Sequence, residues 1–123
     1  MPKAYDVMAP TCPSRVVLHR ICARWKVFVV TALADGPMRF SALKAHIVGI
    51  TPKVLTDTLR ALEFDGLVIR TDLGGQPSRV EYSLTDLGRS LLVPLAAVRG
   101  WAEEHAPEVE AANAQAAAPE GLR

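Results

Sequence analysis

The stretch ITPKVLTDTLRALEFDGLVIRTDLGGQPSRVEYSLT, Ile50 to Thr85, divides into a helix and a hairpin. Thr51-Pro52 opens the helix. The threonine oxygen accepts from an unpaired N–H of the first turn, and proline lacks an N–H that would go unpaired there anyway. Asp65-Gly66 closes it. At about 100° per residue, Leu55, Leu59 and Leu62 gather on one side as a buried stripe. Lys53, Asp57, Arg60 and Phe64 point the opposite way, with Thr56 beside them. Leu67 to Thr71 and Arg79 to Leu84 read as strands, the second alternating Val80, Tyr82 and Leu84 with Glu81 and Ser83. Asp72 to Ser78 joins them, with Gly74-Gly75 as the turn signal.

Just before this stretch, Phe40, Leu43 and Ile47 mark a short helix, with Ser41 near its start and Gly49 at its end. Further upstream, Trp25, Phe28, Val29, Ala32 and Leu33 recur at helical spacing over about Ala23 to Ala34. Val27 and Val30 make the other side of that helix apolar too, so it is expected to be buried on most sides. Asp35-Gly36-Pro37 stops it. A first helix runs from Cys12-Pro13-Ser14 to about Ile21. Residues 1–11 show no periodicity and read as a loose arm. Downstream, Thr85-Asp86 caps a last helix with Leu87, Leu91, Leu95 and Val98 as its stripe and Leu92, Val93 and Trp101 alongside. Pro94 lies inside that stripe and should kink or interrupt it. Residues 106–123 are dominated by Ala, Glu and Pro and read as a disordered or frayed acidic tail.

The chain has 123 residues, half of them hydrophobic, which suits one small domain over residues 12–105. The longest apolar run, Val27 to Ala34, is far short of the roughly 20 residues that span a membrane. No signal peptide is evident at the start, so a cytoplasmic protein is expected. The net charge of +1 hides an asymmetry. Between Arg15 and Arg99 there are twelve basic and seven acidic residues, a net +5; from Glu103 onward the balance is −4. A mildly basic body fits a nucleic-acid partner without requiring one.

Two short helices joined by a turn at Gly49 are a helix-turn-helix, whose second helix enters a DNA major groove. The hairpin directly after it would be a wing that touches the DNA beside that groove. The competing reading is a plain solvated helix face. Arg70 and Arg79 on the hairpin weigh against it. Asp57 is repelled by phosphate, yet can accept from a cytosine amino group.

These residues resemble the HxlR-type winged-helix transcriptional regulators. The resemblance covers Cys12 to Trp101 and rests on a series in order: Cys12-Pro13, Trp25, DGPMRFSAL at Asp35 to Leu43, GITPKVLTDTLRALEFDGLVIR at Gly49 to Arg70, PSRVEYSLTDLGRSLL at Pro77 to Leu92, and Trp101. The family's usual Gly-Gly-Lys before the tryptophan is Cys22-Ala23-Arg24 here, and its usual second proline before the arginine is Ser78. The resemblance implies a mainly α fold with a small β-hairpin (α+β): a winged helix-turn-helix with dimerisation helices at both ends. It implies a homodimeric, sequence-specific regulator, repressor or activator, of double-stranded DNA targets. The DNA-facing set expected is Arg39, Ser41, Thr51, Pro52, Lys53, Thr56, Asp57 and Arg60, with Gln76 and Arg79 on the wing. The dimer interface expected is Val17 and Leu18 from the first helix and Leu91, Leu92, Leu95, Val98 and Trp101 from the last. That agrees with the residues themselves, because a last helix this apolar exceeds what one small domain buries.

Cys12 stands at the start of the first helix, where the helix dipole favours a thiolate. Some members of the family sense oxidants or electrophiles through a cysteine in this region. The plainer role is a Cys-Pro helix start. Cys22 reads as an inert, buried thiol. Trp25 and Phe28 read as core, with a ligand cavity as the alternative. His19, His46 and His105 lack mutual i, i+4 spacing, so no metal site is expected. No cofactor is expected either, and no catalytic motif occurs. Two classes of function remain: a DNA-binding regulator, with or without a small effector, and a winged-helix module that binds protein. Salt dependence of binding to random DNA separates them, since a phosphate binder weakens as salt rises.

Overall fold

Helix α4 spans Pro52–Phe64, and its amphipathic pattern places it across the core of a computed structural model that describes residues 4–118. Leu55, Leu59 and Leu62 are all buried, joined by Thr58, whose hydroxyl donates to the Val54 carbonyl at 2.7 Å. That bond removes the cost of burying the hydroxyl. Against α4 packs α2, Arg24–Ala32, which continues as a 3₁₀ turn over Leu33–Asp35. Val29, Val30 and Leu33 carry the burial there, with Leu43 from α3, Phe40–His46.

The remaining elements are α1, Pro13–Ile21; strands β1, Met38–Arg39, β2, Val68–Gly74, and β3, Arg79–Leu84; and helices α5, Asp86–Arg89, and α6, Leu92–Ala117. The mainly α fold with a winged hairpin is as expected. The hairpin gains a third strand, however: β1 pairs antiparallel with β3 through Met38–Tyr82 and Arg39–Glu81, giving the order β1-β3-β2. Two residues are too few to show alternation, so β1 leaves no strand signature in the sequence. The β2–β3 ladder runs from Val68–Leu84 to Gly74–Arg79, with a register shift between Asp72 and Gly74.

Gly88 shows why α5 sits where it does. A Cβ at that position would lie 2.1 Å from the Leu67 carbonyl oxygen. Thr85 fixes the approach. Its N–H bonds Leu67 O at 3.1 Å and its hydroxyl bonds Gly66 O at 2.7 Å. The same hydroxyl oxygen accepts from the Gly88 N–H at 3.0 Å as the α5 cap.

The expected last helix is two helices. A proline ring clashes with the carbonyl four residues earlier, here that of Ser90. The chain therefore leaves helix after Arg89 and restarts at Leu92, with Pro94 in the first turn, where its missing N–H costs nothing. The tail expected as disordered or frayed from residue 106 is helical through Ala117, despite Pro107. Alanine, the strongest helix former, fills much of that segment. The segment expected as a loose arm carries turns, with Ala9 N–H on Asp6 O at 3.0 Å and Cys12 N–H on Ala9 O at 3.1 Å. The extreme ends of arm and tail, residues 1–3 and 119–123, lie outside the described residues. The described residues fall into two compact units, divided between Leu92 and Val93.

Candidate nucleic-acid interface

The turn between α3 and α4 is held by two buried isoleucines, Ile47 and Ile50, with the Ile50 N–H on the Ile47 carbonyl at 3.3 Å. Between them Gly49 adopts φ +92°, a conformation side chains with a Cβ rarely take. Thr51 then caps α4 as expected, its Oγ1 accepting from the Val54 N–H at 3.2 Å. Pro52 has no N–H, and the Leu55 N–H goes to the Thr51 carbonyl at 2.9 Å. Of the backbone N–H groups in this first turn, only that of Lys53 is then left to meet a phosphate.

On the outer face Lys53, Asp57, Arg60 and Phe64 are all exposed, Phe64 to 84%. Lys53 Nζ meets Asp57 Oδ2 at 3.0 Å, an i, i+4 ion pair in the middle of the face. Thr56 is half-buried, and its hydroxyl proton is committed to the Pro52 carbonyl at 2.8 Å. It keeps a lone pair for a donor but offers no proton. Arg39 and Ser41 are exposed at the junction of β1 and α3. Two more exposed cations belong to the same elements and lie outside the expected set: Lys44 on α3 and Arg70 on β2. Their signal was the hairpin and helix assignment itself, which made every exposed cation there a candidate.

The hairpin's tip is tied by Asp72. Its Oδ1 accepts from the Gly74 N–H and from the Ser78 hydroxyl, both at 2.8 Å. These bonds, the Gly74 N–H first, hold its carboxyl below the usual range, with Arg70 adding to them. Ser78, where the resemblance leads one to expect proline, thus supplies a side-chain tie. Gln76 and Arg79 flank it, both exposed.

A different surface surrounds α1. None of its residues is buried, and Val16, Val17 and Leu18 are 54, 51 and 47% exposed. Val17 and Ile21 also border an open apolar cavity of about 240 Å³, walled by Leu67, Leu87 and Leu91. Arg20 on α1 pairs with Asp65 at the end of α4 at 3.0 Å. On α6, Val93, Val98 and Trp101 are exposed, and Trp101 stacks on His105 with centroids 4.8 Å apart. Leu95 is only 8% exposed within one chain, so a partner would have little of it left to cover.

Cys12 is half-buried at the N-cap of α1. Its sulfur lies 3.1 Å from Ser14 Oγ and accepts from the Asp6 N–H at 3.3 Å. The Ser14 hydroxyl, then the N–H groups of Asp6 and Ser14, draw the thiol pKa below its ordinary value. Cys22, expected as buried, is exposed, because it follows a helix that buries nothing. Phe28 likewise is exposed rather than core, edge-on to Trp25 at 5.6 Å. The Arg24 guanidinium covers Trp25 at 4.4 Å from its ring centre. Among the described residues no cluster of three or more His, Cys, Asp or Glu is placed to hold a metal, and no helix is long and apolar enough to cross a membrane.

The sequence profile of the HxlR-like helix-turn-helix family matches residues 20–110. A relative from Escherichia coli, the uncharacterized HTH-type transcriptional regulator YtfH, is 41% identical over 116 residues, covering 94% of this chain and 92% of its own. The structure of a YtfH transcriptional regulator from Salmonella typhimurium is 40% identical with a TM-score of 0.80, covering 89% of this chain and 97% of that one. The redox regulator HypR in its reduced form is 34% identical with a TM-score of 0.74, covering 80% of this chain and 98% of that one. With a helix-turn-helix and wing in place and the match extending over most of its length, the chain belongs to the HxlR-like helix-turn-helix family of transcriptional regulators.

Proposed function

We propose that the chain acts in the cytoplasm as a homodimeric repressor that binds an inverted-repeat operator in double-stranded DNA. The observation that carries this reading is the exposed face of α4, with Lys53, Asp57 and Arg60 on a helix whose other side is fully buried, followed at once by a wing bearing Arg70 and Arg79. Each subunit lays α4 in a major groove. Arg39 and Ser41 contact the flanking backbone, and Arg79 with Gln76 reaches the phosphates beside the groove. The apolar side chains that α1 and α6 leave in water support dimerisation. Two-fold symmetry then sets half-sites about one helical turn apart, or a multiple of it.

The test is selection of duplexes from a random pool by the purified chain, followed by the mass of the complex with the selected duplex. An inverted repeat carrying two chains is the expected result. A pool without enrichment, alongside capture of a protein partner, would favour the protein-binding module instead.

A response to oxidants is part of the proposal, because the Asp6 N–H and Ser14 hydroxyl favour the Cys12 thiolate, the reactive form. The relative HypR is named a redox regulator. Mild oxidant is expected to change operator affinity in the wild type and to leave Cys12→Ser unaffected. Equal responses of the two would reject the role of Cys12.

A further inference from the structure

Asp57 is costly where it stands. Aspartate is a poor helix former in mid-helix. Its pair with Lys53 is fully on the surface, with the two side chains 84% and 57% exposed, and the order Lys before Asp is the weaker one for an i, i+4 pair. It also sets a negative charge in the centre of a face read as meeting a polyanion and half-neutralises the lysine next to it. Neither helix stability nor general attraction to DNA accounts for it.

Base reading does. A carboxylate only accepts hydrogen bonds. In the major groove the donors it can meet are the amino groups of cytosine and adenine, whereas guanine offers two adjacent acceptors, O6 and N7. Lys53 Nζ and Asp57 Oδ2, 3.0 Å apart, form a donor–acceptor couple on the outer line of α4. A G·C pair presents the complement: guanine acceptors for the ammonium beside the cytosine N4 amino group for the carboxylate. The Thr56 proton is spent on Pro52 O, so that hydroxyl cannot donate to guanine in place of Lys53.

We propose that the Lys53–Asp57 pair reads one G·C base pair in each half-site, with Asp57 as the specificity-determining residue that accepts from cytosine N4 and restrains Lys53 from unspecific phosphate contact. This rests on the DNA-binding function proposed above and names what α4 recognises. In a selection from a random duplex pool, the wild type is expected to fix a G·C pair at one position of each half-site. Replacing that pair, or methylating its cytosine N4, should weaken the wild type by about 5- to 150-fold. Asp57→Ala should lose the preference, with less than about 3-fold difference between the duplexes. It should also bind random duplex more tightly than the wild type, with a steeper salt dependence, because Lys53 is released to phosphate. Asp57→Asn should shift the preference at that position toward A·T, the pair asparagine reads best.

A selected pool from Asp57→Ala with the same fixed position as the wild type overturns this inference and leaves the DNA-binding reading intact. So does a wild-type pool with no G·C position that responds to cytosine N4 methylation. A wild type that selects no sequence overturns both.

Discussion

Helices α1 and α4 begin alike and end differently. Each has proline at its first position and a small polar residue before it, Cys12 in one and Thr51 in the other. Thr51 caps its helix by accepting the Val54 N–H; the Cys12 side chain makes no capping bond, and its sulfur is engaged by Asp6 and Ser14 instead. Helix α4 buries Leu55, Thr58, Leu59 and Leu62, whereas α1 buries nothing. The lesson concerns the surface each leaves over. What α4 leaves exposed is mostly polar, stable in water and suited to a charged partner. What α1 leaves exposed includes Val16, Val17 and Leu18 among its basic residues, and the burial of that aliphatic part is worth about 25 cal/mol per Å² once something covers it. One helix is complete within the chain; the other, under the proposed dimer, is completed by a partner.

The sharpest contrast lies in truncation. Leu59→Ala is expected to cost about 2–5 kcal/mol, visible in urea unfolding at any protein concentration, because it opens a cavity in the core of a single chain. Leu18→Ala should cost far less at low concentration and lose more as the wild type dimerises. If both cost the same at every concentration, the distinction between the helices fails.

Next comes the charge substitution Leu18→Asp. Placing an unpaired carboxylate in the proposed dimer face should cost about 2 kcal/mol, roughly a 30-fold rise in the dimer dissociation constant by sedimentation equilibrium. An unchanged dimer would remove α1 from the interface.

The caps give a smaller but cleaner comparison. Thr51→Ala should lower stability by ~1 kcal/mol in thermal or chemical unfolding, through the lost bond to Val54. Cys12→Ala, with no cap to lose, should cost less than half of that. The smallest effect belongs to Lys53→Ala. Its ion pair with Asp57 is exposed, so unfolding should shift by no more than about 0.5 kcal/mol while DNA binding weakens. A large stability loss would mean that the pair is structural.

Much of this contrast was legible in the sequence. The limits of α4 follow from Thr51-Pro52 and Asp65-Gly66, and its two faces from angular spacing. Strand β3 is legible from the alternation of Val80, Tyr82 and Leu84. Other features depend on contacts between distant residues and leave no local trace. Strand β1 exists only because β3 lies beside it. The break at Ser90, by contrast, was legible from Pro94, whose ring meets the carbonyl four residues earlier. Phe28 and Cys22 look like core by composition but are left exposed by the described residues, Phe28 only partly covered by Trp25. Within the candidate site, exposure of Lys53, Asp57 and Arg60 could be read from helical spacing. The commitment of the Thr56 hydroxyl to Pro52 could not, because it depends on a side-chain rotamer.

The central claim, that the polar surface of α4 and the wing is a DNA surface, is tested most directly by titrating wild type and Arg79→Ala against a selected duplex and a scrambled one at several salt concentrations. Binding of the wild type should weaken as salt rises. Arg79→Ala should weaken both duplexes alike, with a salt slope lower by about one for each arginine removed and the preference between the duplexes kept. Wild-type binding that ignores salt, or identical titrations for the two proteins on both duplexes, would contradict the account.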